Sequence, residues 1–524
     1  MKEFKKNGLL LLKYAIILLL CLAMVLLVDR LGSFRHGVRL ETSEEESSLP
    51  EDGEIKETDE EELSEETENM QEELPRNEEA SKKPKRSLAA AKEDEESRQE
   101  AYQPPTIVIQ SDVHYFSSEL TDYGEAFETM LKEDDGKLTN YDSQLMDAFT
   151  EEMVRLKPSA VILSGDLTLN GEKAGHEALA EKLRILEEKG VKVLVIPGNH
   201  DINNYHAGTY FGEEKGGTEI VDADGFCNIY RQFGYDQAKS RDENSLSYVY
   251  ELDEKNWLLM LDTAQYEPVN KVGGRIKEET LDWMKEQLDA AEKEGINVLP
   301  IGHHNLLKES ILYPEDCTLE NSPEVIDLLE AYRLPLYISG HLHLERTKKY
   351  KAFPGEGDDV YHINEVVANS FAIPPCQYGI LSWTENGGLV YRTQETDVAA
   401  WAGEQGITDE NLLNFEEYGN KFLTQVISSQ IYSQLKNFPE EQMEAMAELF
   451  GSINRDYCAG VPVDAQEIRS EMSFRLWERN LPDSRLFANI DEILRDTGKD
   501  HNSWTGMWKK TDAQTATGSE ASFQ

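Results

Sequence analysis

An α/β fold with a small all-α domain behind it and one membrane-spanning helix in front is what this 524-residue chain predicts. Three observations carry that expectation. Short β-branched runs alternate with amphipathic helical stretches up to about residue 400, long helical patterns with few strand signals follow, and an uninterrupted apolar run stands near the N-terminus. The length also exceeds what one hydrophobic core usually supports, in keeping with two folded domains plus accessory segments.

The apolar run, Leu9 to Val28, reads LLLLKYAIILLLCLAMVLLV. At about 1.5 Å per residue it matches a hydrocarbon core of about 30 Å, and Lys13 near one end can carry its charge to the interface on a long stem. Lys2, Lys5, Lys6 and Lys13 precede or open the span, which by the positive-inside rule leaves the N-terminus in the cytoplasm and the rest outside; Arg30, Arg35 and Arg39 pull the other way. No small-x-small cleavage pattern follows, and Leu18, Leu19 and Leu20 before Cys21 do not suit a processed lipoprotein. Residues 1–30 therefore read as a cytoplasmic stub and uncleaved signal-anchor, and the chain as a single-pass cell-membrane protein with its folded part outside the cytoplasm.

Residues 31–102 read as a disordered linker. The stretch is dense in Glu and almost free of aromatic residues, so it cannot bury enough apolar surface to offset its ordering entropy. Much of the formal net charge of -49 sits there, and that sign excludes a nucleic-acid-coating protein, which relies on Lys and Arg. Of five cysteines, Cys227, Cys317, Cys376 and Cys458 lie beyond the span. Their scatter gives neither a zinc spacing nor a disulfide framework, so they read as small buried hydrophobes.

Order begins at PPTIVIQSD, where Thr106 to Gln110 is a β-branched run closed by polar residues. PSAVILSGD and VKVLVIPGNHD repeat the pattern, and between them EKAGHEALAEKLRILEEKG has apolar residues at helical spacing and stops at Gly190. Strand, helix, strand at that rhythm predicts crossover units in a helix-covered sheet. SLSYVYELDEKNWLLMLDT predicts a hairpin and KEETLDWMKEQLDAAEKEG an amphipathic helix; NVLPIGHHN, PLYISGHLH and GILSWTENGGLVYRT supply further strands. This domain is bounded at 103–400. Residues 401–510 form the helical domain, with Pro439 at the first helical position of FPEEQMEAMAELF, and Asp464 with Glu467 resembling a capping box before IRSEMSFRLWERN. Phe474, Leu476 and Trp477 there are assigned to core rather than to a roof over the site, the domain is also a candidate homodimer contact, and 511–524 is a disordered tail.

Five strand ends carry the chemistry: SDVH (Asp112, His114), SGDLTLNGE (Asp166), PGNHD (Asn199, His200, Asp201), GHHN (His303, His304) and SGHLH (His341, His343). In an open α/β sheet the loops beyond the carboxyl ends of strands converge on one edge, so these residues can meet. In Asp-x-His and His-x-His, residues i and i+2 of an extended segment point the same way and offer two ligands to one site. Hard carboxylate with borderline imidazole suits manganese, iron or zinc better than calcium, and the lack of a thiolate argues against a closed structural zinc site. Each element alone is weak evidence; the strength lies in all five, each after an apolar run, in one continuous region.

The ordered set D-x-H, G-D, G-N-H-[DE], a histidine after a strand, and G-H-x-H resembles the calcineurin-like metallophosphoesterases over roughly Thr106 to Thr393. SGDLTLNGE, IPGNHDINN, LLMLDT and GHHNLL resemble the cyclic-nucleotide phosphodiesterase branch, above all secreted Gram-positive members with a helical C-terminal domain. The resemblance implies two mixed sheets sandwiched between helices and two divalent cations (Mn2+, Fe2+ or Zn2+). One cation would be held by Asp112, His114, Asp166 and His343, the other by Asp166, Asn199, His303 and His341, with Asp166 bridging. An amide at Asn199 coordinates without cancelling the charge needed for phosphate. The implied reaction is hydroxide attack on the phosphorus of a small phosphodiester, a cyclic nucleotide by resemblance, with His200 as general acid. Asp201 either orients that imidazole or caps the following segment, and Asn170 either meets a phosphate oxygen or makes a turn. Many relatives carry a proline where Asn305 stands, which leaves His303 and His304 as rival ligands, with His303 preferred. The other readings are a broad phosphomonoesterase or nucleotide pyrophosphatase and, from a different class, a non-catalytic metal-stabilised adaptor.

Overall fold

Three continuous apolar runs make one flank of the first sheet. In the computed structural model, β1 (Thr106–Gln110), β2 (Ala160–Ser164) and β3 (Val193–Ile196) pair in parallel, Ile107 opposite Ala160 and Val161 opposite Val193. Apart from Thr106 their residues are buried, which is why each run is apolar throughout rather than alternating. A short hairpin of β4 (Thr209–Phe211) and β5 (Glu214–Gly216) stands apart. The second sheet takes β6 (Ser240–Arg241), β7 (Tyr248–Asp253), β8 (Asn256–Met260), β9 (Asn297–Ile301), β10 (Leu336–Ser339), β11 (Arg346–Lys349) and β12 (Asn364–Val367) in the order β11-β12-β10-β9-β8-β7-β6. Its middle strands β8, β9, β10 and β12 are parallel, and β7 pairs antiparallel with β8 as the predicted hairpin. On the far side of β1 the first sheet continues antiparallel through β13 (Gln377–Trp383), β14 (Gly388–Glu395) and β15 (Ser503–Met507).

The two sheets face each other across one core. Leu258 and Met260 of β8 point into it beside Ile107, Ile109 and Ile162, whereas Trp257 and Leu259 point outward onto Met284 and Leu288 of the helix Glu278–Glu294. That alternation is the period-2 signature of a strand between two layers. The helices Asp142–Leu156 and Lys173–Glu188 contribute Met146, Phe149, Leu179 and Leu183 to the same core. The two mixed sheets with helices packed on them are the architecture the motif order implied.

Residues 102–308, 316–352, 360–496 and 498–508 are described, and they fall in one compact unit, Ser97–Gln524. The predicted anchor at 1–30, nearly all of the acidic linker and the tail at 511–524 lie outside the described residues. Among the described residues no helix is long and apolar enough to cross a membrane.

Beyond β14 the helical character holds as far as Asp496, with two differences from expectation. The stretch behind Asp464 is two helices, Ala465–Ser470 and Met472–Asn480, because Glu471 is extended (φ -67, ψ 149). Asp464 does cap the first of them, accepting from the backbone N–H groups of Gln466 and Glu467. Residues 503–507 are not helical: Ser503 to Met507 return as the edge strand β15, with Trp504 opposite Tyr391. A five-residue strand whose partner lies over a hundred residues earlier leaves no local periodicity to find. Phe474 and Trp477 are core, as assigned, and the indole Nε1–H of Trp477 donates to the Met446 carbonyl at 2.9 Å. Trp477→Ala is expected to cost about 3–5 kcal/mol, read by denaturant unfolding.

Candidate metal-binding active site

Every predicted ligand follows one of the parallel strands: Asp112 and His114 follow β1, Asp166 β2, Asn199 β3, His303 β9, and His341 with His343 β10. The backbone there departs from the extended geometry expected of Asp-x-His and His-x-His. Asp112 (φ 53), His114 (φ 46), Asp166 (φ 50), His341 (φ 72) and His343 (φ 53) are all left-handed. Such a conformation costs about 1–3 kcal/mol per residue and persists where the surroundings over-determine it. Here the loops are laced together. Asp112 N–H donates to the Gly165 carbonyl (3.1 Å), His114 N–H to the Asp166 carbonyl (3.0 Å), and His341 N–H to Asp112 Oδ2 (2.9 Å). Gly198 serves close approach rather than a left-handed turn, since a Cβ there would lie 2.2 Å from Asp166 Oδ1. Gly340 likewise leaves room for Ser111 and Asp112.

The side chains then converge. Asp166 Oδ2 lies 3.2 Å from His303 Nε2, 3.9 Å from His114 Nε2 and 4.0 Å from His200 Nε2. Asp112 Oδ1 is 3.3 Å from His343 Nε2 and 4.0 Å from His114 Nε2, and Asn199 Oδ1 is 3.2 Å from His303 Nε2. His341 donates Nε2–H to the Asp316 carbonyl (3.1 Å), which leaves Nδ1 as its available lone pair. The seventh predicted ligand, His341, joins them through His303, with a ring nitrogen of each within 4.8 Å of the other and the rings edge-on at 5.1 Å between centroids.

Electrostatics favour a cation in this cluster. Burial disfavours charge on each carboxylate, yet the facing imidazoles hold Asp112 and Asp166 below the usual carboxylate range. Burial also works against charge on the imidazoles, but Asp166 and Asp112 push His303 up to about 9, and Asp135 with Asp112 pushes His343 up to about 10. Burial and the neighbouring His303 push His341 down to about 4. Two buried carboxylates thus recruit positive charge, Asp112 Oδ1 from His343 Nε2 and Asp166 Oδ2 from His303 Nε2. A donor set of carboxylate, amide oxygen and imidazole fits a hard or borderline divalent ion that displaces protons on binding.

Their hydrogen bonds set His303 and His304 apart. His304 Nε2 faces the Val272 carbonyl at 2.9 Å, so it carries the proton, and Nδ1 accepts from the Thr263 hydroxyl at 2.8 Å. No lone pair remains for a metal. His303 donates Nδ1–H to the Ser164 carbonyl (2.9 Å) and leaves Nε2 facing Asp166 and Asn199. Asn305, standing in place of a proline, donates to the Gly340 carbonyl (2.9 Å) and Ser339 Oγ (3.0 Å), tying the His303 loop to the His341 loop.

His200 is part-exposed and sits edge-on to His114 at 4.9 Å. Its Nδ1 donates to the Leu169 carbonyl (2.7 Å), with Asn170 Oδ1 at 3.2 Å, so Nε2 faces the cluster. The residue expected to steer that imidazole does not touch it. Asp201 is fully buried and accepts from the backbone N–H groups of Leu167 (2.8 Å), Thr168 (3.0 Å) and Gly198 (2.8 Å). It braces the Asp166 loop against the Asn199 loop, and burial together with Asp166 pushes its carboxyl up to about 7. Adjacency in sequence suggested an orienting pair; the chain turns between the two residues and sends their side chains apart. Three supporting residues gave no sequence signal. Asn270 donates to the Asn199 and Ile202 carbonyls (2.8 Å each), Glu365 accepts from the Leu306 and Leu307 N–H groups (2.8 Å each), and Asp135 meets His343.

Residues 105–345 match a family model described as calcineurin-like phosphoesterase, and residues 397–500 one described as the C-terminal domain of cyclic nucleotide phosphodiesterase. Over 256 residues the chain is 27% identical to a protein of Arcobacter nitrofigilis named Probable glycerophosphodiester phosphodiesterase GpdQ, covering 48% of this chain and 77% of that one. Over 214 residues it is 23% identical to a Psychrobacter arcticus protein named Probable cyclic nucleotide phosphodiesterase, covering 40% and 65%.

Proposed function

We propose that this chain is a metal-dependent phosphoester hydrolase, a dinuclear phosphodiesterase acting on cyclic nucleotides, a reading supported by the match of residues 105–345 to the calcineurin-like phosphoesterase model and of residues 397–500 to the C-terminal domain of cyclic nucleotide phosphodiesterase. One observation carries the dinuclear reading: Asp166 Oδ2 stands between the His303 side of the cluster and the His114 side. In this reading Asp112, His114, Asp166 and His343 hold one cation, and Asp166, Asn199, His303 and His341 the other. Bound there, a pair of divalent cations, manganese among them, neutralises phosphate charge and acidifies water near neutral pH.

The chain's own contribution is binding, orientation and a proton. The Leu169 carbonyl fixes His200 so that Nε2 faces the cluster, from where the protonated ring gives its proton to the departing alkoxide. Lys137, whose charge reaches His114, is committed to Asp134 and Asp135. The cyclic nucleotide substrate rests on the C-terminal family model and on the names of relatives. The apolar run Leu9–Val28 with its preceding lysines supports a membrane tether and an extracytoplasmic domain.

Purified protein supplied with manganese is expected to hydrolyse a bis-aryl phosphate faster than the mono-aryl phosphate, to cleave a cyclic nucleotide, and to lose both activities to a chelator. Faster cleavage of the monoester would overturn the diesterase reading. In intact cells, external protease is expected to remove the folded domain; full protection would sink the tether.

A further inference from the structure

We propose that Asp135 is the positioning residue for His343 and that the C-terminal helical region belongs to the metal site because it holds both. The inference rests on the reading of His343 as a metal ligand. His343 Nδ1 lies 2.9 Å from Asp135 Oδ2. A carboxylate of this kind accepts, so Nδ1 carries the proton and Nε2 turns its lone pair toward the cluster. The other oxygen of Asp135 is taken by the ammonium of Lys137, a residue only 5% exposed, whose Nζ also meets Asp134 Oδ1 at 2.9 Å. A buried lysine thus locks a half-exposed carboxylate in the one orientation that reaches His343.

The helical region grips this arrangement twice. On one side the helix Phe415–Leu435 covers the turn that carries Asp135: Gly136, left-handed at φ 102, lies so close under Leu423 that a Cβ would come 2.4 Å from Leu423 Cδ1, and Gln430 Nε2 donates to the Asp134 carbonyl at 3.3 Å. On the other side the sequence His341-Leu342-His343-Leu344 alternates between two destinations. The histidines join the cluster, while Leu342 and Leu344 are buried in the core of the helical region with Phe450 and Trp477. Glu345 N–H then donates to the Cys458 carbonyl at the end of the helix Glu440–Cys458 (2.8 Å). The segment bearing His343 and the carboxylate that orients it are therefore both fastened to the same pair of helices.

The test titrates metal-free full-length protein with Zn2+ against a chromophoric chelator, comparing wild type with Asp135→Ala, Asp135→Asn, Leu423→Ala and His343→Ala. His343→Ala is expected to lose one of two equivalents. Asp135→Ala is expected to keep both but weaken one roughly 10- to 100-fold, the usual effect of removing such a partner. Asp135→Asn, which retains an acceptor, is expected to weaken it less, and Leu423→Ala to weaken the same equivalent. The tautomer of His343 in the zinc form, read by 1H–15N correlation of labelled histidine, is expected to be Nδ1–H in wild type and to lose that fixed signal in Asp135→Ala. Loss of an equivalent in His343→Ala with unchanged affinities in Asp135→Ala would overturn the positioning role alone. Two full equivalents in His343→Ala would overturn the ligand reading on which it stands.

Discussion

Replacing His200 by alanine is expected to leave both metal equivalents bound and to cut turnover of a diester with an alkyl leaving group roughly 100- to 10,000-fold, the range for loss of a positioned acid. An activated aryl diester, whose leaving group departs without a proton, is expected to lose far less. The asymmetry follows from the geometry: His200 Nδ1 is tied to the Leu169 carbonyl, and Nε2 stands 4.0 Å from Asp166 Oδ2 at a part-exposed position. Rates on the two substrates and elemental analysis of the same preparation decide it. Equal losses with metal retained would mean that His200 positions rather than protonates.

Asp166→Asn is expected to empty or loosen both sites at once, with a larger fall in affinity than the roughly 10- to 100-fold that follows loss of an outer partner. The amide would keep the shape, but its neutral oxygen would replace a carboxylate that faces His303 at 3.2 Å and His114 at 3.9 Å. Asn199→Ala is the contrast, because Asn199 Oδ1 stands on the His303 side of the cluster, 3.2 Å from His303 Nε2, and only one equivalent is expected to go. Elemental analysis showing Asp166→Asn with one metal intact would refute the bridging role.

Much of this site was readable in the linear chain. Acid, amide and imidazole groups each follow an apolar run, and the loops after those strands do gather, but from two facing sheets rather than the single sheet edge expected, β1, β2 and β3 in the first and β9 and β10 in the second. The residue types also limited the ion, since carboxylate with imidazole and no thiolate is a donor set for hard or borderline divalent cations. Periodicity placed the main strands and the long helices, and Asp464 as a cap.

What stayed hidden was direction. Whether His303 or His304 has a free lone pair depends on the Ser164 carbonyl, 139 residues away, and on the Thr263 hydroxyl, 41 residues away. Asp201 follows His200 in the chain, yet its carboxylate spans to Leu167 and Thr168, because a buried acid is best satisfied by backbone N–H groups. The left-handed backbone at Asp112, His114, Asp166, His341 and His343 is held by hydrogen bonds between loops, such as Asp112 N–H to the Gly165 carbonyl, that no single segment of sequence displays. Asp135 sits in an unremarkable run of charge, LKEDDGK, and becomes a partner of His343 only because Leu423 packs onto the turn. Residue types and their order by themselves pointed to the groups that could hold metal and to the loops after strands as the place where they gather. Only tertiary structure decided which lone pairs face inward, because a lone pair is aimed by the partner on the other side of its ring, and those partners come from distant parts of the chain.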